Sequence, residues 1–401
     1  MNKHQKIAVF GGGSWATAIV KMLIENLETV GWYMRNEQTI AHIKENDHNP
    51  KYLRSAELDA SRLDLSSDIN YMVAKYDVLI FAIPSAFLTG ELSKLKESLE
   101  SKTIFSAIKG IVPETGLIVG EHFNKEYNIP LTNIGVITGP CHAEEVAMER
   151  LSYLTIACQD EDIAKKMAEA LQSWYINVKT TDDIIGTEYA AVLKNIYAVA
   201  AGIAHGLGYG DNFQSVLMSN AIREMKRFIK KVHKMKRNIN DSAYLGDLLV
   251  TGYSTFSRNR MFGNMIGKGY TVKSAQHEMS MIAEGYYATK SAYKIKVDKG
   301  TKTPIIDAVS SLARIILPEV SASLKKDVKV GAVMMAINRL SPASELRIRK
   351  NIKRLALDLG NVIVRSDLCD FTFKNTTSLL KEVAKILNKS SESQDYFLTV
   401  S

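Results

Sequence analysis

The stretch KIAVFGGGSWATAIVKMLIE, residues 6–25, constrains the fold more than any other part of the chain. A short run of β-branched and apolar residues meets a glycine turn, and an amphipathic helix follows. The small residues fall as Gly11-x-Gly13-x-x-Ala16, a variant of the dinucleotide-binding fingerprint. Gly11 permits a tight turn, and Gly13 lets backbone amides approach a pyrophosphate at the helix N-terminus. Ala16 is small enough for the helix to pack closely on a sheet. The bland alternative is a glycine turn without a ligand. A glycine run set between strand and helix favours the nucleotide.

The pattern then repeats. VGWYMRN reads as a second strand, and DVLIFAIPS is an apolar run closed by Pro84, as a buried parallel strand requires. TIFSAIKG and IGVITGP follow, with helical stretches such as LTGELSKLKESLE between them. This alternation predicts an α/β, Rossmann-type, doubly wound parallel sheet over residues 1–183. Ligands bind such sheets at the carboxyl ends of the strands. The strand ends here carry Arg35-Asn36, Lys109-Gly110 and Gly139-Pro140-Cys141-His142. At the end of the second strand an acidic residue suits the ribose hydroxyl of NAD, whereas arginine accommodates the 2′-phosphate of NADP. Arg35 stands there with Glu37 two residues later, so NADPH is the preferred reading and NADH the second. A surface arginine without a ligand is the alternative.

From about Asp183 the alternation stops, and an all-helical second domain is expected over residues 184–309. TEYAAVLKNIYAVAAG (187–202) is apolar on nearly every face, yet it contains Lys194. A buried ammonium is costly unless something compensates it. The alternative is a stem packed in the core with its head in solvent. Asp247 opens another apolar segment, and Ser257-Arg258-Asn259-Arg260 forms a polar cluster able to clamp a phosphate at a helix start. Taken alone, SRNR is more often a surface turn. Glu284, before Gly285, reads equally well as a helix ending in a glycine cap.

At 401 residues the chain is long enough for two or three domains. Its net charge of +8 is concentrated: from Ser310 onward there are 15 Lys/Arg against 9 Asp/Glu. The other basic stretch, REMKRFIKKVHKMKR (223–237), reads as a solvated helix face, so no nucleic-acid partner is expected. The three cysteines are widely spaced, which suits a reducing cytoplasm and offers no metal-ligand spacing. No signal segment or membrane span is expected.

Together, GGGSWATA, AIPS, AIKGI, GPCHAEEV, LKNIYAVAAGIAHGLGYGDN, GDLLVTGYSTFSRNRMFG and IAEGYY resemble the bacterial NAD(P)-dependent glycerol-3-phosphate dehydrogenases over about residues 5–308. The resemblance implies reversible reduction of dihydroxyacetone phosphate to sn-glycerol 3-phosphate, in supply of glycerophospholipid synthesis. It implies that Lys194 is the catalytic proton donor and acceptor. Substrate contacts fall on Lys109, Gly139, Cys141, Lys194, Asp247, Ser257, Arg258 and Asn259. Cofactor contacts fall on Ser14, Trp15, Arg35, Lys109, Ala143, Arg258, Ile282 and Glu284, beside the fingerprint glycines Gly11 and Gly13. Cys141 departs from the serine of many relatives, and a thiol is the weaker hydrogen-bond partner. A cytoplasmic homodimer without a metal is expected.

Residues 310–401 lie outside the resemblance. NVIVRSDLCDFTF, TTSLLKEVAKILNK and DYFLTVS read as strand, helix and strand, an extra α+β segment reminiscent of half an ACT-type regulatory unit. A fused regulatory or oligomerisation module, a structural appendage and a gene-fusion or assembly artefact are all open. For the whole chain the rivals are another two-domain dehydrogenase, with Cys141 as a tempting nucleophile, and a non-catalytic NAD(P) sensor.

Overall fold

The computed structural model describes residues 6–270, 272–279 and 283–316. The strand–helix–strand unit expected near the C-terminus, and Ile282, lie outside the described residues.

The sheet half begins with β1 (Ile7–Phe10), α1 (Ser14–Asn26), β2 (Val30–Tyr33), α2 (Glu37–Asn46) and β3 (Leu63–Ser66). It continues through α3 (Ile69–Lys75), β4 (Val78–Phe81), α4 (Ser85–Leu92), β5 (Thr103–Ser106) and α5 (Val119–Tyr127). It closes with β6 (Ile134–Thr138), α6 (Ala143–Ala147), β7 (Ser152–Cys158), α7 (Glu161–Leu171) and β8 (Ile176–Thr181). The eight strands form one sheet in the order β3-β2-β1-β4-β5-β6-β7-β8. Strand residues alternate between its two faces. Ile7 and Val9 join the core under α1, α2, α6 and α7, whereas Ala8 and Phe10 join the core under α3, α4 and α5.

One pair departs from the expected parallel sheet: β7 runs antiparallel to β6. The connection between them contains only the five-residue α6, which packs beside α1 rather than carrying the chain across the sheet. The expected helix over LTGELSKLKESLE also stops early, at Leu92. There Ser93 Oγ donates to the Gly90 carbonyl at 3.0 Å, a local bond that competes with helix continuation. Strand order reverses about β1, whose neighbours are β2 and β4. This is the switch point at which such sheets bind nucleotides. Gly11 makes the turn there with φ +133°, and any Cβ would strike the Ala82 carbonyl beyond β4.

The helical half is built on α8 (Ile184–Gly206), which is buried on almost all sides. Around it stand α9 (Asp211–Val232), α10 (Asp247–Tyr253), α11 (Arg258–Gly267), α12 (Val272–Glu278), α13 (Glu284–Asp298) and α14 (Pro304–Ile316). Asp183 caps α8 by accepting from Gly186 N at 3.0 Å, and the same carboxylate accepts from Arg237 and from Tyr244 Oη at 2.5 Å. Further along, α8 and α11 touch backbone to backbone. The Val199 carbonyl lies against Gly263, the Ile203 carbonyl against Gly267, and Asn264 against Gly206. Contacts advance together on both helices, so they run parallel, and Lys194-Asn195 is brought level with Arg258-Asn259.

A Cβ at Gly202 would collide with the Arg260 carbonyl, and one at Gly263 with that of Val199. Gly202→Ala and Gly263→Ala should each destabilise the chain by about 2–3 kcal/mol through overpacking. Gly90→Ala, with open space around an exposed helical position, should be neutral or stabilise by up to about 1 kcal/mol. Thermal-unfolding midpoints of the three variants check both expectations.

Candidate active site at the sheet–helix junction

Lys194 lies wholly inside the protein, 4% exposed, midway along α8. Its Nζ donates to Asp247 Oδ1 at 2.5 Å. Burial pushes the Lys194 pKa down to about 7; Asp247 pulls it upward, and the nearby Lys109 ammonium adds to the depression. Asp247 is itself 1% exposed, and its Oδ2 has no hydrogen-bond partner among the described residues. The pair therefore has one buried acceptor to spare. A single-turn π-helix, Ser242–Gly246, delivers Asp247 to the first position of α10.

Three further elements converge on this pair. Lys109 follows β5; its ammonium lies 5.3 Å from the centre of the Trp15 ring, and its carbonyl accepts from Asn195 Nδ2 at 3.1 Å. Arg258 opens α11 and donates through Nη2 to Ser14 Oγ at 2.7 Å, with Glu144 Oε1 at 3.9 Å. Glu284 opens α13 and packs against Gly110. Burial raises the Glu284 pKa, opposed by the Ser85 backbone and by Lys109, Arg258 and Lys194. Three cations thus share one space, an arrangement suited to an anionic ligand.

The other expected residues take more specialised places. Ser257 Oγ accepts from Arg260 N at 3.3 Å, so this side chain serves as the N-cap of α11. Asn259 Oδ1 accepts from Gly285 N at 2.9 Å and ties α11 to the start of α13. Gly139 adopts φ +119° against the Tyr153 carbonyl, a position closed to a side chain. Ala143 is buried at the start of α6. Cys141 is a buried free thiol pushed up to about 12 by burial, which keeps it protonated. Gly13 caps α1 with no side-chain bond to the first-turn amides, and Trp15 Nε1 is buried without a partner among the described residues. An uncapped helix start behind a glycine turn, with an orphaned indole N–H beside it, fits a dinucleotide pyrophosphate and its neighbours. Arg35 lies past the end of β2, with Nη1 3.3 Å from Glu91 Oε1. Glu37 faces a different partner, accepting from Ser67 Oγ at 3.0 Å. Among the described residues, no group of three or more His, Cys, Asp or Glu could hold a metal ion, and no helix is long and apolar enough to cross a membrane.

Sequence reasoning gave two residues here no role of their own. Asn195 was visible only as the neighbour of Lys194, yet it fastens the Lys109 loop to α8. His142 caps α6, and its Nε2 is buried without a partner among the described residues. Burial, then Lys194 and Lys109, lower its pKa to about 4, so it is a neutral imidazole facing the cations. The available signal was its place at a strand's carboxyl end, inside GPCHA.

Comparison with known proteins gives a consistent result. The family model for the NAD-dependent glycerol-3-phosphate dehydrogenase N-terminus matches residues 6–164, and that for the C-terminus matches residues 183–316. The glycerol-3-phosphate dehydrogenase (NAD(P)+) of Staphylococcus haemolyticus is 34% identical over 309 residues, 76% of this chain and 92% of its own. That of Staphylococcus aureus is 35% identical over 321 residues, 79% of this chain and 95% of its own. The solved glycerol-3-phosphate dehydrogenase of Coxiella burnetii superposes with a TM-score of 0.71 at 25% identity, covering 78% of this chain and 96% of its own.

A thiol held near 12 is almost wholly protonated at pH 8. Iodoacetamide should therefore modify Cys141 in the native protein at least about a thousandfold more slowly than an unperturbed cysteine. Urea should abolish the protection. Peptide mass spectrometry reads both rates, and rapid native labelling would restore the cysteine-nucleophile alternative.

Proposed function

The chain belongs to the NAD-dependent glycerol-3-phosphate dehydrogenase family, and from that premise we propose that the Lys194–Asp247 pair is its proton-transfer centre. The reaction is the NAD(P)H-dependent reduction of dihydroxyacetone phosphate to glycerol 3-phosphate, which serves lipid synthesis. The observation that carries the assignment of roles is a buried lysine of lowered pKa, paired to one carboxylate and flanked by Lys109 and Arg258.

Arg258 and Lys109 hold the substrate phosphate and the carbonyl oxygen, with the α11 start shaped by Ser257 and Asn259. A reduced nicotinamide, when bound, would supply the hydride that C2 of the substrate takes up. Lys194 gives its proton to the former carbonyl oxygen, and its own charge is restored by a proton from water. Asp247 keeps enough of Lys194 protonated for this, and its free Oδ2 is placed to accept from a substrate hydroxyl. Lys109 also stabilises charge building on the oxygen. Gly11, Gly13, Ser14 and Trp15 receive the pyrophosphate side of the dinucleotide, Ala143 and Glu284 border it, and Ile282 belongs with them through the resemblance. Arg35 favours NADPH, with NADH as a second cofactor.

In this reading residues 1–183 supply most of the cofactor contacts and 184–309 most of the substrate contacts, with Lys109 and Glu284 serving across that division. A cytoplasmic setting is supported by the buried free thiols Cys141 and Cys158. Exposed apolar side chains at Met148, Leu151, Tyr153 and Trp174 support a homodimer.

Lys194→Ala should lower turnover by about three orders of magnitude or more while leaving NADPH affinity within a fewfold of the parent. Steady-state oxidation of NADPH with dihydroxyacetone phosphate and calorimetric cofactor binding test the two halves. A variant retaining turnover overturns the assignment. Reduction needs protonated Lys194, so kcat/KM should fall as pH rises through about 7. Asp247 raises that pKa, so Asp247→Asn should move the falling limb to lower pH in a full pH–rate profile.

A further inference from the structure

Glu91 stands in the last turn of α4, with its side chain only 5% exposed. Three groups close on its carboxylate. Tyr33 Oη donates to Oε2 at 2.7 Å, Lys94 Nζ donates to both oxygens at 3.0 Å, and Arg35 Nη1 lies 3.3 Å from Oε1. Tyr33 ends β2 and Arg35 lies two residues beyond, so alternation along the extended chain sends both toward the same carboxylate. Tyr33 and Lys94 fix Glu91 in place. Arg35 touches it through one nitrogen, and the Arg35 side chain remains 64% exposed at the strand end where a ribose 2′-substituent is read.

The electrostatic consequence is a three-body balance. A carboxylate beside Arg35 weakens that guanidinium's attraction for a second anion, and Lys94 restores part of it by neutralising the carboxylate. We propose that Glu91, acting through Arg35 and offset by Lys94, is the positioning residue that sets how strongly the chain prefers a 2′-phosphorylated nicotinamide nucleotide over its unphosphorylated counterpart. This rests on the reading above that Arg35 meets the 2′-phosphate. The carboxylate holds the preference below what Arg35 alone would give, so both cofactors are used.

Calorimetry on the full chain with 2′,5′-ADP and 5′-ADP reads this balance without turnover, and the kcat/KM ratio for NADPH over NADH reads it in catalysis. Glu91→Gln keeps the shape and the acceptor for Tyr33 while removing the charge. It should raise the affinity ratio about three- to tenfold. Lys94→Ala should lower the ratio by a similar factor. Arg35→Ala should bring the ratio close to one, and Glu91→Gln should then add nothing in that background. A ratio unmoved by Glu91→Gln, while Arg35→Ala still collapses it, overturns the role of Glu91 and leaves the reading of Arg35 standing. A ratio unmoved by Arg35→Ala overturns both. A gain from Glu91→Gln that persists without Arg35 overturns the route through the guanidinium. Should Glu91→Gln fail to fold, the half-exposed Lys94 carries the test, and an unchanged ratio in Lys94→Ala overturns the proposal.

Discussion

The close parallel approach of α8 and α11 is the constraint on which the rest of the site depends. Gly202 and Gly206 on one helix, with Gly263 and Gly267 on the other, let backbone meet backbone along the seam. Helices separated by ordinary side chains lie 8–10 Å apart. Here the shorter approach places the start of α11 directly beside the middle of α8. Lys194 and Arg258 are distant in sequence and become neighbours because the two helices advance in step. Asn259 then reaches Gly285, and the start of α13 is fastened to the same corner.

A buried ion pair is not in itself a stabilising device. Withdrawing two charges from water costs several kcal/mol per ion, and the mutual attraction recovers this only in good geometry with further hydrogen bonds. Among the described residues, Lys194 and Asp247 leave an acceptor unused on Oδ2, and His142 and Trp15 each leave a ring nitrogen unused nearby. A core assembled for stability alone would satisfy or exclude such groups. Their shared location, next to three cations, marks a corner where the fold forgoes stability, as functional sites do. The stiffness needed to tolerate this comes from outside the site. Asp183, bonded to Gly186, Arg237 and Tyr244, fixes the start of α8, while Glu188 accepts from Gly120 N at 2.9 Å and ties α8 to α5.

How much of this was legible follows from the range of each interaction. The β1–α1 fingerprint, the apolar strand runs and the lysine in an apolar helix are local patterns, and each falls where its local physics required. The antiparallel turn of β7 was not visible, because it depends on a connection too short to cross the sheet. Asn195, His142 and Glu91 escaped for a different reason. Asparagine, histidine and glutamate are common on surfaces; His142 carried only the weak signal of its place at a strand end, and tertiary neighbours alone distinguish Asn195 and Glu91 from solvated residues. Ser257 adds a role that the sequence did not show: its hydroxyl accepts from Arg260 N and caps the helix that carries Arg258, which leaves its own O–H free to donate.

The Arg258–Ser14 hydrogen bond joins the beginning of the sheet half to the middle of the helical half. Its partners open two helices, α11 and α1, whose N-terminal dipoles both point into the junction. An arginine between two positive helix ends, close to Lys109 and Lys194, stands in an unfavourable field unless anions are present. Asp247 on Lys194, Glu284 beside all three cations and Glu144 at 3.9 Å from Arg258 offset part of it. The same cations are within reach of both halves of the junction, so an anion held by one half changes the field met by the other. The two halves are thus joined by shared electrostatics as well as by the Arg258–Ser14 bond.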